Sequence, residues 1–209
     1  MKTHMILVTG TLGTLLSAPA FAGDDGVAPA PADSKLSVAA QFELLPLGSA
    51  KTTINDQSMS TDAAVAYGIS GTLDYAITPN ISVGVAPRLV FNVAPSEAAP
   101  GENAGKQLDL RARLVAHVPV ASGLQAYAAL SPGYTIVLSG QDGVDNTTGF
   151  ALGGAAGLTY DLSPKMFIGG EVGYQRAFAS EDLMVAGQKF TADSTLSYLH
   201  VGIGAGTRF

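Results

Sequence analysis

The 209-residue sequence contains no cysteine. That excludes a disulfide framework, thiol catalysis and thiolate metal sites, and it leaves no residue for a lipid anchor at a processed N-terminus. Charge is also scarce: Asp, Glu, Lys and Arg make up 13% of the chain, about half the ~25% usual in soluble domains. With 11 Lys and Arg against 17 Asp and Glu and a net charge of −6, there is no basic face to offer a nucleic acid, which excludes that partner. Long apolar runs are missing too, although hydrophobic residues reach 47%. The apolar character must therefore be interleaved with something else.

The chain opens with Lys2 and His4, continues through an apolar stretch from Met5 to Leu16, and reaches the small-x-small triplet Ala20-Phe21-Ala22. This is the pattern of a secretory signal over residues 1–22, cleaved before Gly23. Its apolar part, about 12 residues, is too short to cross a ~30 Å hydrocarbon core as a helix. Residues 23–34, GDDGVAPAPADS, have no periodicity and are expected to form a flexible leader.

From Lys35 to the end the dominant period is two, the mark of strands with different environments on their two faces. The last segment is clearest, with Leu199, Val201, Ile203, Ala205, Thr207 and Phe209 on one face and His200, Gly202, Gly204, Gly206 and Arg208 on the other. Seven earlier segments repeat the alternation. Their bulky faces begin at Leu36, Val65, Ile81, Leu108, Leu124, Phe150 and Met166, which predicts eight strands in all. Connections near 78–80, 119–123 and 163–165 are tight and each holds a proline, whereas those near 46–61, 94–106, 139–147 and 179–193 are long and polar. An up-and-down meander puts the short turns at one end and the long loops at the other. A weak internal repeat, Asp74 to Ile81 against Thr159 to Met166, has the same hairpin spacing.

Side-chain size decides which face is inside. An eight-stranded barrel is only just wide enough for side chains to fill it, so the Leu, Val, Ile, Phe and Tyr face cannot point inward, while the Gly, Ala and Ser face can. The lumen then collects Glu43, Asp74, Asp109, Asp161 and Glu171 with Arg88, Arg111, Arg113 and Arg208, charges that must pair internally. Arg111 and Arg113, at alternate positions beside Asp109, suggest an ion-pair ladder along one strand. The outward aromatics fall into two bands: Tyr75, Tyr160 and Phe209 near the short turns, and Phe42, Tyr67, Phe91, Tyr134, Phe150, Tyr174 and Phe178 toward the long loops. Two such belts are what the two interfaces of a membrane select. Tyr127, Phe167 and Tyr198 point inward, over lumen glycines. The fold expected is all-β, an eight-stranded antiparallel up-and-down transmembrane β-barrel over residues 35–209.

The signal, the eight phased strands, the short turns opposite long loops, and the final strand Leu199 to Phe209 with its terminal aromatic together resemble small Gram-negative outer-membrane barrels of the OmpA, OmpX and opacity type. The resemblance covers the chain from about residue 35. It implies contact with outer-membrane lipid and lipopolysaccharide, and delivery by the barrel-assembly machinery, which would recognise the face of Ala205, Thr207 and Phe209. Because the sequence ends on that strand, no peptidoglycan-binding module is expected after it.

No cofactor, metal or catalytic residue is expected. His117 and His200 face the lumen and suit interior hydrogen bonding better than catalysis. Lipid A deacylases and palmitoyl transferases of similar size place a histidine at the rim or on the lipid face, and no histidine here points outward. The segment Gln141 to Asn146 lacks EF-hand spacing, and Gly202, Gly204 and Gly206 precede no helix that could complete a phosphate cradle. The expected role is structural, or interaction with a surface ligand through the long loops. The alternatives are a narrow gated channel, a lipid A-modifying enzyme and an exported soluble lipid-binding barrel.

Overall fold

Alternating small and bulky side chains drive the chain into nine antiparallel strands. They are β1 (Leu36–Ile54), β2 (Gln57–Ala63), β3 (Ala66–Thr78), β4 (Ile81–Val93), β5 (Gly105–Ala121), β6 (Leu124–Leu138), β7 (Thr147–Asp161), β8 (Met166–Val185) and β9 (Gln188–Arg208). The computed structural model describes residues 34–54, 57–97, 104–140, 146–185 and 188–209, without the side chains of 54 and 181–190. The expected signal (1–22), nearly all of the expected leader (23–34) and most of the segment 141–146 lie outside the described residues.

Eight strands close a ring in the order β1, β3, β4, β5, β6, β7, β8, β9, with β9 pairing back onto β1 from Ser37↔Arg208 upward. At the seam, Phe209 N donates to Leu36 O at 2.8 Å. Closure leaves no open edge in the wall, as lipid requires. Every strand keeps its bulky face out: Phe42, Ile69, Val85, Leu110, Leu130, Leu158, Val172 and Ile203 are all exposed. Glu43, Asp74, Arg88, Asp109 and Arg111 are buried.

Two of the connections predicted as long polar loops are strand instead. β1 and β2 form a hairpin down to Ile54↔Gln57, and β8 and β9 form another down to Val185↔Gln188. Because β1 and β9 stay paired as far as Ile54↔Ala192, the order β2-β1-β9-β8 makes a four-stranded sheet standing above the barrel. The stretches are polar, and along β2 both faces are open to water. Their Thr and Ser residues nevertheless suit a pleated sheet, and Thr53 Oγ1 and Ser58 Oγ pair across it at 2.9 Å.

Prolines adjust the wall. A register shift between Leu44 and Leu47 brackets Pro46, which has no N–H to leave unpaired in a bulge. Leu44 and Leu47 both face out as a result, and Leu45 turns in. Pro87 and Pro132 face outward, and at each the ladder skips while keeping its register, between Ser70↔Arg88 and Leu73↔Val85 and between Arg111↔Gly133 and Leu114↔Leu130.

Of the outward aromatics, Tyr67 stacks on Phe91 with ring centroids 5.5 Å apart. Tyr134, Phe150 and Phe178 follow one another in register on β6, β7 and β8. Phe42 and Tyr174 sit lower on the wall. Phe150 and Tyr160 lie ten residues apart on β7, about 26 Å in height at ~3.4 Å per residue and ~40° tilt. That matches the ~25 Å apolar band of an outer-membrane barrel.

Candidate functional site

The lumen holds the polar groups in tiers. In the upper tier, toward the long connections, Arg88 on β4 sets Nη2 2.7 Å from Glu43 Oε2 on β1 and Nη1 3.6 Å from Asp109 Oδ2 on β5. Arg88 Nη1 also donates to Gln175 Oε1 on β8. Gln175 Oε1 accepts a second bond, from Arg111 Nη1 at 3.2 Å, and its Nε2 donates to Asp109 Oδ2 at 2.8 Å. Gln107 Nε2 donates to the other Asp109 oxygen at 2.8 Å. Two cations and two carboxylates are thus joined by neutral amides. The side chains of Arg88, Glu43 and Asp109 are at most 1% exposed, so the tier is shut off from water, and among the described residues Arg88 Nε, Arg111 Nε and Gln107 Oε1 are left without a hydrogen-bond partner.

In the middle tier Arg113 pairs with Asp74 and lies 3.9 Å from Glu171. Tyr127 Oη donates to Glu171 Oε2 at 2.6 Å, and His200 Nε2 is 3.4 Å from Glu171 Oε1. Two glycines make these bonds possible. Asp74, Gly84 and Arg113 lie in one row across β3, β4 and β5, and Tyr127, Gly157 and Glu171 lie in one row across β6, β7 and β8. With no side chain at the centre of each row, the outer residues reach over the backbone to meet. A Cβ on Gly157 would stand 2.6 Å from Tyr127 Cζ. Phe167 and Tyr198 cover Gly206 and Gly48 in the same manner.

In the lowest tier Arg208 Nη1 is 2.6 Å from Asp161 Oδ1, with the guanidinium 4.7 Å over the Phe167 ring. Ser82 Oγ lies 3.2 Å from His117 Nε2. A cavity of about 540 Å³ opens at this end, lined by Lys35, Asp74, Arg113, His117, Tyr127 and Arg208 among others. Above Arg113 lies a void of about 20 Å³, beneath Arg111 and beside Glu171 and His200, room for about one water. Over the upper tier, Leu45, Ala66, Val90 and Tyr198 pack into a buried apolar cluster at the lumen's outer end.

All nine lumen charges named from the sequence face inward, but their partners differ from the expected ladder. Arg113 does not pair with Asp109, and Arg111 bonds to an amide. Arg111 and Arg113, two apart on β5, point the same way one tier above the other, and each finds its partner on another strand, whereas Asp109 accepts a bond from Gln107 of its own strand. The period of two also turns Gln107 and Gln175 inward, but their place in the network and the Leu45 cluster were not anticipated. The glutamines carry no charge to single them out, and Leu45 owes its direction to the Pro46 bulge. The outward face of β9 carries Ala205, Thr207 and an exposed Phe209. Among the described residues no group of three or more His, Asp or Glu could hold a metal.

The family model described as outer membrane protein beta-barrel domain matches residues 11–209. No curated protein matches the sequence. Among solved structures, the chain is similar to the outer membrane protein OprG from Pseudomonas aeruginosa, with 16% identity over 84% of this chain and 96% of that one and a TM-score of 0.60. It is similar to Neisserial surface protein A as well, with 14% identity over 83% and 97% and a TM-score of 0.53. A third similar structure is the outer membrane protease OmpT from Escherichia coli, with 10% identity over 83% and 97% and a TM-score of 0.44.

Proposed function

This chain belongs to the outer membrane protein beta-barrel domain family, and from that premise we propose that it is a non-enzymatic barrel of the Gram-negative outer membrane with a closed lumen, acting in envelope integrity or through its surface. The observation that carries this reading is the bond from Arg88 on β4 to Gln175 on β8. In the eight-strand ring these strands are four apart, on opposite walls, so the bond bars the lumen across its full width. Such a buried network is costly to break one partner at a time. Liposomes holding an entrapped small solute test it: barrels that leave the solute inside support a closed lumen, and rapid efflux counts against it.

A second reading, a narrow gated channel, draws support from the cavity of about 540 Å³ at the short-turn end. It leaves the upper tier and the apolar cluster above it as the barrier, and rearranged ion pairs would make the path.

Residues 1–22 act as a cleaved export signal in this reading, so the N-terminus of the membrane-embedded protein is Gly23. Ala205, Thr207 and Phe209 present the outward face of the last strand to the barrel-assembly machinery. The four-stranded sheet β2-β1-β9-β8 is the part of the molecule best placed to meet a surface ligand.

A further inference from the structure

Four of the five arginines, Arg88, Arg111, Arg113 and Arg208, line the lumen, and the fifth, Arg176, faces outward. A cation on the lipid face of a barrel costs ~2–4 kcal/mol at the bilayer midplane and ~0–1 near an interface. Arg176 sits two residues below the belt residue Phe178 on β8, and its guanidinium lies 5.0 Å over the Phe178 ring. The arm therefore rises toward the headgroups, as long cationic side chains do at such boundaries.

The register places a second cation beside it. Phe178 pairs with Thr195 on β9, and Thr195 pairs with Lys51 on β1. One row lower, Arg176 pairs with Ser197, and Ser197 with Ser49. Arg176 and Lys51 thus stand about 10 Å apart across the strands and about 7 Å along them, with the hydroxyls of Ser49, Thr195 and Ser197 between. Asp62, opposite Ser49 on β2, and Asp193, opposite Thr53, share this face, but among the described residues neither cation makes an ion pair with a carboxylate. Beneath the patch, Tyr174, Leu199 and Leu47 follow in register as an apolar shelf, with Leu47 65% exposed. Lys106, the other outward cation of the barrel wall, stands alone between Phe91 and Leu138.

We propose that Lys51 and Arg176, with Ser49, Thr195 and Ser197, bind the phosphate groups of one lipopolysaccharide molecule of the outer leaflet, its acyl chains lying on Tyr174, Leu199 and Leu47. The occupant needs anionic phosphate at headgroup height and hydrocarbon directly below. A guanidinium and an ammonium supply charge-assisted bonds to the first, and the shelf supplies apolar contact to the second. A free phosphate ion would use only half of the site. The proposal rests on outer-membrane placement and not on the closed lumen, so its failure leaves the conductance question untouched.

The test measures binding of the refolded barrel in detergent to bisphosphorylated lipid A and to the same lipid A after dephosphorylation. Wild type is expected to prefer the phosphorylated form by about tenfold, the worth of one charge-assisted bond. The preference disappears in K51Q/R176Q and persists in K35Q/K165Q, which alters lysines at the short-turn end. Equal affinity of wild type for the two lipids overturns the proposal, as does a preference that survives in a K51Q/R176Q barrel shown folded by heat-modifiable gel mobility. Displacement of the lipid by inorganic phosphate at millimolar concentration would also overturn it, because the cations would then serve a soluble anion. Should the double variant not fold, the single variants K51Q and R176Q replace it, each expected to lose part of the preference, and an unchanged preference in both overturns the proposal.

Discussion

Arg88 and Gln175 bond across the full width of the lumen, from β4 to the opposite wall on β8. The amide of Gln175 has its oxygen turned to two guanidinium groups and its nitrogen to the Asp109 carboxylate. A neutral side chain thus lets Arg111 be buried without a carboxylate of its own.

Glu43 has Arg88 as its ion partner, and both are buried. Glu43→Ala should cost about 3–5 kcal/mol, because the buried Arg88 guanidinium loses its nearer carboxylate and keeps only Asp109, at 3.6 Å. Replacing both with apolar residues, E43L/R88M, should cost clearly less than the single change. Denaturant unfolding of the refolded barrel in detergent measures both, and a single variant as stable as wild type would contradict the tier as described.

Gly157 and Gly154 are three residues apart on β7 but differ in the room around them. A Cβ on Gly157 meets Gly170 O at 2.5 Å and Tyr127 Cζ at 2.6 Å, whereas on Gly154 the nearest atom is Ala129 O at 3.8 Å. Gly157→Ala should therefore lose about 1–3 kcal/mol, the usual cost of overpacking, and Gly154→Ala should be close to neutral. The midpoint of the heat-modifiable mobility shift reads the difference. Equal midpoints would mean that the Tyr127 to Glu171 bond does not depend on the gap.

Leu45 and Leu47 offer a similar contrast across Pro46. Leu45 is fully buried in the apolar cluster, and Leu47 is outward. Leu45→Ala is expected to destabilise by about 2–5 kcal/mol and Leu47→Ala by much less, as measured by urea titration in detergent micelles, where Leu47 stays against detergent tails. The reverse order would place the bulge elsewhere.

The period of two carried most of this fold. It assigned a direction to Phe42, Tyr75, Leu110 and Ile203 on the outside and to Glu43, Asp109 and Arg111 on the inside, because each strand has one crowded face and one lipid face. It could not say which inward residues meet. That Arg113 finds Asp74 across Gly84, or Arg88 finds Gln175 across the ring, depends on the stagger of strands distant in sequence. It also misjudged 46–61 and 179–193. Along β2 polarity reports water on both faces, which a projecting β-ribbon shares with a loop.

Phe209 is exposed at the end of β9, where the proposed assembly signal places it. Phe209→Ala should reduce the amount of barrel reaching the outer membrane in cells, as measured by fractionation, while the purified variant refolds in detergent with nearly unchanged stability. Normal cellular levels would remove Phe209 from the assembly role, and an equal loss in both measurements would make it a stability residue.

Planar-bilayer recording of the wild-type barrel tests the closed lumen most directly. With Arg88, Glu43, Asp109, Gln175 and Arg111 barring the upper lumen and Leu45, Val90 and Tyr198 packed above them, the account predicts no current steps above the bare-membrane baseline. Reproducible unit steps in wild type that change size in R88Q would contradict it and establish the gated channel in its place.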